Sequence, residues 1–261
     1  MLKILFVGDI VGSRGALFAE GVCRRLRRER GIDLCIVNGE NSADGNGITP
    51  HSMETLFTFA DVVTTGNHCF RRREIMGEYD RNDFLLRPAN YPEGVAGKGC
   101  TVVDMGRCSL MVINIMGTSF MEPLDNPFSR MDELLTGAGT RNIIVDFHAE
   151  ASGEKRAMGF FLDGRVSAVI GTHTHVQTAD ETILPKGTAY ITDAGMCGTE
   201  LSVLGVESQL IIEKMRFKTP VKFKEAEGAQ ILCGVLVTLD EKSGRAIDIE
   251  RIQVREGDSR H

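Results

Sequence analysis

The 261-residue sequence has no apolar run near the ~18–20 residues that a membrane span requires. No signal-peptide pattern precedes its first strand-like run, so a soluble, cytoplasmic protein is expected. Basic residues are not in excess: 30 Lys and Arg against 36 Asp and Glu leave a net charge of −6. That balance argues against a DNA-coating protein, whose affinity comes from phosphate neutralisation. The chain also lacks any CxxC pair, and its seven cysteines are odd in number. Neither a disulfide framework nor a thiolate zinc site is therefore expected, and the cysteines read as small buried apolar residues. Repeats, low-complexity tracts and Pro/Ser-rich linkers are missing as well. What remains is ordinary soluble composition, 42% hydrophobic and 25% charged. A chain of this length buries roughly 70–75% of its unfolded surface, enough for a core without staples. One domain over residues 1–255 is expected, with a flexible tail at 256–261.

Apolar runs alternate with amphipathic stretches. Residues 2–7 form a run broken only by Lys3, the pattern of a strand buried on both faces. A turn containing Gly8, Gly12 and Gly15 leads into a helix with Phe18, Val22 and Leu26 at spacing four. Residues 34–37, 61–65, 143–146 and 168–170 read as further strands. Residues 50–59 read as a helix capped by Thr49 with Pro50 in its first turn; 131–135 and 154–161 are helical too. The alternation predicts an α/β layered fold. Hairpins around 105–108 and 241–245 make the sheets mixed rather than purely parallel.

Polar residues of the metal-ligand type follow the strand ends: Asp9, then Glu40 and Asn41, then Asn67 and His68, then His148, then His173 and His175. In open α/β sheets the carboxyl ends of the strands converge on one crevice. Four of the six histidines lie in these segments, whereas His51 and His261 read as solvent-facing. A shared metal site follows. Mixed carboxylate, amide and imidazole ligands without thiolate suit Mn, Fe or Zn. Seven or more ligands are too many for one ion, so two ions sharing a bridging carboxylate are expected, a recurring phosphoesterase device.

The ordered motifs GD-x-x-G (from Gly8), NGEN (from Asn38), GNH (from Gly66), DFHAE (from Asp146) and GTHTH (from Gly171) resemble those of the calcineurin-like metallophosphoesterases. The set is most similar to the YmdB-like branch of bacterial 2′,3′-cyclic-nucleotide phosphodiesterases. The stretches from Arg87 to Gly94, Thr172 to Asp180 and Leu184 to Asp193 carry the same resemblance, which spans nearly the whole chain. It implies a sandwich of two mixed β-sheets flanked by helices. It also implies a dinuclear centre of Fe and/or Mn. Asp9, Glu40, Asn41 and His175 would hold one ion; Glu40 would bridge to a second held by Asn67, His148 and His173. His68 would be the general acid. Val11 stands where much of the superfamily has a ligand histidine, and Glu40 where it has a bridging aspartate. Both departures suit the YmdB-like branch.

The implied reaction is phosphodiester hydrolysis, with a hydroxide bridging the ions as nucleophile and an imidazole protonating the leaving alkoxide. The implied substrates are cyclic nucleotides, 2′,3′-cyclic ahead of 3′,5′-cyclic, and the implied assembly is a homo-oligomer. Alternatives on the same residues are a phosphomonoesterase, a nuclease acting on RNA ends, or a regulatory metal-binding scaffold.

Weaker signals have two readings each. Arg24, Arg25, Arg27, Arg28 and Arg30 form either a solvated helix face or an RNA-contacting patch. Arg71, Arg72 and Arg73, read as consecutive helix residues, can present at most one guanidinium to a substrate phosphate. Cys69 packs beneath the site or acts as a soft ligand. Glu150 orients a ligand histidine or faces solvent.

Overall fold

The computed structural model describes residues 1–258. The first sheet opens with β1 (Leu2–Val7) and the two-residue β2 (Asp9–Ile10). Helix α1 (Gly12–Arg30) leads to β3 (Leu34–Asn38), and α2 (Pro50–Phe57) leads to β4 (Val62–Thr64). A 3₁₀ turn, Arg73–Ile75, precedes α3 (Met76–Arg81). The second sheet begins with the hairpin β5 (Cys100–Asp104) and β6 (Ser109–Met116). Next come α4 (Pro127–Thr136), β7 (Asn142–His148), α5 (Ser152–Leu162) and β8 (Ala168–Thr172). Two short strands, β9 (Thr182–Ile183) and β10 (Ala189–Ile191), complete it. The chain returns to the first sheet through β11 (Met196–Thr199), α6 (Ser208–Phe217), β12 (Gln230–Leu239) and β13 (Ala246–Arg255).

Both sheets are mixed. In the first, β1, β3 and β4 are parallel while β12 runs antiparallel to β1 and pairs with β13 as a hairpin. In the second, β6, β7, β8 and β10 are parallel, with β5 and β9 as antiparallel edges. Strand periodicity sets the layers. Leu2, Ile4 and Phe6 join Leu110, Val112, Ile144 and Ile170 in a core shared by both sheets. Their alternates Leu5 and Val7 face the opposite way, against Ala16, Ala19, Val22 and Leu26 of α1. Met158 and Leu162 of α5 cover the outer face of the second sheet. The architecture is the helix-flanked sandwich of two mixed sheets that the motif resemblance implies.

Local chemistry sets the boundaries. Thr49 caps α2 with a reciprocal capping box to Ser52, and Pro50 occupies its first turn. Gly31, at φ +63°, ends α1 in the left-handed conformation and donates its N–H to the Arg27 carbonyl. Several expectations shift. Gly12 and Gly15 belong to α1 rather than to a turn before it, because Gly15 brings the helix so close to β11 that a Cβ would strike the Cys197 carbonyl. Strand β7 runs on to His148, so that histidine lies on the strand and not after it. Arg73 opens the 3₁₀ turn while Arg71 and Arg72 lie in the preceding loop, so the three arginines are not consecutive helix residues. Arg24, Arg27 and Arg30 of α1 pair with Glu20, Asp61 and Glu250. No helix among the described residues is long and apolar enough to cross a membrane. Of the expected tail, Glu256 exchanges two hydrogen bonds with Gln230, both 2.8 Å; residues 259–261, including His261, lie outside the described residues.

Candidate metal centre

Parallel strands of both sheets aim their carboxyl ends at one volume. β1 leads to Asp9, β3 to Glu40 and Asn41, and β4 to Asn67 and His68, all from the first sheet. β7 ends on His148, and β8 leads to His173 and His175, from the second. Asp9, Glu40 and His148 are fully buried.

Around His148 the atoms crowd. Its Nε2 lies 2.9 Å from Asn67 Oδ1, 3.1 Å from His173 Nδ1 and 3.3 Å from Glu40 Oε1. Ligand atoms of Glu40, His148 and His173 all fall within 4.8 Å of one another. A second grouping surrounds His175, whose Nε2 is 3.6 Å from Asp9 Oδ1 and 3.3 Å from Asn41 Nδ2. His68 joins the two: its Nδ1 contacts Asn41 Oδ1 at 2.8 Å and Glu40 Oε1 at 3.3 Å. All eight residues singled out from the sequence thus meet at one site.

The imidazoles share a design. His148 Nδ1 is engaged by the Thr172 hydroxyl at 2.9 Å, which itself donates to Asp146 Oδ1 at 2.7 Å. His173 directs Nε2 to Glu150, 3.0 Å away, and His175 directs Nδ1 to the Leu204 carbonyl, 3.2 Å away. In each ring one nitrogen is held by an oxygen acceptor and the other faces the cluster. That is how metal-binding histidines are oriented and held in the required tautomer. Asp9 adds a second sign. Its Oδ2 accepts the His173 N–H at 3.1 Å, but its buried Oδ1 has no hydrogen-bond partner. Orphaned buried carboxylate oxygens are costly and call for an explanation.

Electrostatics point the same way. Burial raises the Glu40 carboxyl, yet the facing His148 and His68 hold it well below the ordinary carboxylate range. Asp9 is likewise lowered, the penalty of burial being outweighed by His175 and His148. Burial opposes charge on His148, but Glu40, Asp9 and Asp146 push it up to about 9. Burial and the neighbouring His148 push His173 down to about 3. Two buried anionic carboxylates attract positive charge, whether a proton on His148 or a cation. The donor set, the orphaned Asp9 oxygen and the ring orientations all fit a divalent metal.

The backbone yields to the side chains here. His173 and His175 sit at φ +96° and +62°, which is unusual for non-glycine residues and characteristic of functional sites. Gly66 faces the cluster so tightly that a Cβ would strike both the His148 ring and Glu40. Cys69 is buried and its thiol is pushed up to about 12, chiefly by burial, so it packs beneath the site as an uncharged group. Glu150 supports His173 rather than the adjacent His148.

Several supporting residues were not singled out from the sequence. Asp146 is fully buried and collects Asn38 Nδ2 at 3.0 Å, the Thr172 hydroxyl and the Thr64 hydroxyl; burial pushes it up to about 6. The i, i+2 spacing of Asp146 and His148 on one strand is the signal that puts both on the same face. Lys155 and Asp193, by contrast, leave no local signature.

A two-sheet sandwich with carboxylates and imidazoles at converging strand ends is the architecture of the calcineurin-like metallophosphoesterases. Within that class the chain belongs to the YmdB-like family, whose model matches residues 5–252. It is 46% identical over 258 residues to a Bacillus subtilis protein named 2′,3′-cyclic-nucleotide 2′-phosphodiesterase, covering 98% of each chain. A crystal structure of a hypothetical protein from Thermus thermophilus superposes with a TM-score of 0.93 at 37% identity, covering 98% of this chain and all of the other. A Mycoplasma pneumoniae structure described as a novel phosphatase does so with a TM-score of 0.93 at 32% identity, covering 97% and 93%.

Proposed function

We propose that this enzyme is a metal-dependent phosphodiesterase that hydrolyses cyclic nucleotides, 2′,3′-cyclic ahead of 3′,5′-cyclic species. The observation that carries this reading is the common orientation of His148, His173 and His175, each with one ring nitrogen anchored outside the cluster and the other facing into it. The name of the Bacillus subtilis relative supports the substrate class.

Asp9, Glu40, Asn41 and His175 would hold one ion, and Glu40, Asn67, His148 and His173 a second, with Fe and Mn the candidates. Asn41 presents Nδ2 to the His175 side, so it serves as a ligand only with its amide turned over. Bound there, divalent ions supply a water of lowered pKa as nucleophile and positive charge for the phosphoryl oxygens.

The chain's own residues do the rest. His68 is part-buried at the cleft with its Nδ1 turned inward to Asn41, which leaves Nε2 to deliver a proton to the leaving alkoxide. Glu40 Oε1, 3.3 Å from the same Nδ1, helps hold the ring in that orientation. Arg71 lines the same cleft and would meet the substrate phosphate. Arg72 is bound to the Asn46 carbonyl at 3.0 Å and to Asp44 at 3.3 Å, and so shapes the wall instead. The core shared by both sheets supports residues 1–255 acting as one domain. Helix α6, none of whose residues is buried, offers a face for a homo-oligomer. The reading also carries a cytoplasmic location.

The test couples elemental analysis of the purified protein to turnover of 2′,3′-cyclic AMP with and without Mn²⁺. Close to two ions per chain and chelator-sensitive hydrolysis are expected. No bound metal and no Mn²⁺ response would refute the proposal, while two ions without hydrolysis would redirect it to phosphomonoesters and RNA ends.

A further inference from the structure

The cleft that exposes His68, His173 and His175 has a volume of about 1090 Å³, far more than a phosphodiester group fills. One wall is polar, with Glu40, Asn41 and Arg71. The lining also carries three exposed apolar side chains, Val176 at 62%, Leu204 at 43% and Phe223 at 44%, the last between Lys222 and Lys224. Large apolar side chains grouped on a cleft wall mark a ligand surface rather than a core.

This wall is built onto the metal centre. Val176 directly follows His175, and the Leu204 carbonyl accepts the Nδ1–H of that same histidine. Leu204 stands at φ +55°, an unusual conformation for a branched side chain, followed by Gly205 at φ +93°, where a Cβ would press on Val11. The strained backbone keeps the carbonyl on His175 and leaves the Leu204 side chain in the cleft. Lys214 Nζ lies 4.5 Å from the Phe223 ring centroid, over that ring. Lys222, beside Phe223 on the same wall, has no ion-pair partner among the described residues.

We propose that Phe223, which lines the cleft together with Leu204 and Val176, forms a nucleobase subsite on which the substrate's base stacks while its phosphate meets the metal centre. The inference rests on the phosphodiesterase reading and extends it from the reacting phosphate to the base. Stacking on an aromatic face tolerates every base, so the subsite selects nucleotides over simple phosphodiesters without demanding one base.

Calorimetric titration of the metal-loaded enzyme with 3′-AMP and with inorganic phosphate tests the subsite directly. Wild-type protein is expected to bind 3′-AMP more tightly than phosphate. Phe223→Ala should weaken 3′-AMP about tenfold and leave phosphate unchanged, whereas Phe223→Tyr should retain both affinities. With 2′,3′-cyclic AMP, Phe223→Ala should raise KM about tenfold with kcat within about twofold. Unchanged 3′-AMP affinity in Phe223→Ala overturns the proposal, and so does an equal loss of both ligands. Tight 3′-AMP binding without hydrolysis of any phosphodiester would retain the subsite and reject the phosphodiesterase reading.

Discussion

Lys155 Nζ donates to Asp193 Oδ2 across 2.8 Å, and neither side chain is more than 1% exposed. The pair lies under the loop that carries two of the three imidazoles facing the cluster. Asp193 also accepts the Thr174 N–H at 3.0 Å and the Thr174 hydroxyl at 2.7 Å. Thr174 separates His173 from His175, so this buried carboxylate clamps the residue between two strained histidines. Removing the lysine would leave a buried charge unpaired, which costs about 3–5 kcal/mol. Lys155→Met should therefore lower unfolding stability by that order and reduce bound metal with it. Chemical denaturation and elemental analysis on one preparation check both, and wild-type stability would refute the clamp.

His68 is predicted to matter for chemistry and not for metal retention. Loss of a positioned general acid typically costs about 10²–10⁴-fold. His68→Asn should therefore keep its metal and lose turnover by that order at saturating substrate. Near-normal turnover would remove His68 from the mechanism.

Asp9→Asn and Glu40→Gln should act in the opposite way. Each keeps the shape of the side chain but removes the charge that attracts a cation. Reduced metal content on elemental analysis is expected for both, the greater loss in Glu40→Gln because Glu40 faces both groupings. Full occupancy after either change would contradict the ligand assignment.

Gly66→Ala tests the site without touching a ligand. The added methyl must displace the His148 ring and the Glu40 carboxylate together, so metal affinity and turnover should fall jointly. The fold should stay intact, as far-ultraviolet circular dichroism will show. An alanine variant with wild-type metal content would mean that the backbone gives way more easily than this packing allows.

Asp180 gives a pH signature away from the metal. Partial burial raises its carboxyl, but the Thr192 hydroxyl and N–H, at 2.5 and 3.1 Å, outweigh that and lower it below 3.8. A carboxyl lowered in the folded state contributes stability above its unfolded pKa and loses it as pH falls through the folded value. The melting temperature of wild type should therefore exceed that of Asp180→Asn at pH 7, and the gap should close below about pH 4. A gap constant down to about pH 2 would exclude this contribution.

The strand ends of the site were legible because the apolar runs into Asp9, Glu40 and Asn67 are strong and the polar residues after them abrupt. Motif order then tied those ends to His148, His173 and His175. Less could be read where tertiary contact decides. Lys155 and Asp193 are 38 residues apart and meet only when α5 packs on its sheet. Strands β2, β9 and β10 have two or three residues each, too few for a periodic signal. The conformation of Arg72 depends on the Asn46 carbonyl and Asp44, partners outside its own segment. The apolar wall of the cleft escaped because Val176, Leu204 and Phe223 share no sequence spacing.

Asp9, Glu40 and Asn67 come from one sheet and His148, His173 and His175 from the other, so the proposed ligands are strung along the chain from position 9 to position 175. On the ribosome, a chain grown past Glu40 but not yet to His175 would hold both proposed acidic ligands and lack the last imidazole. A metal held by residues of both sheets would tie the two together, so its removal should loosen the sandwich along the seam between them.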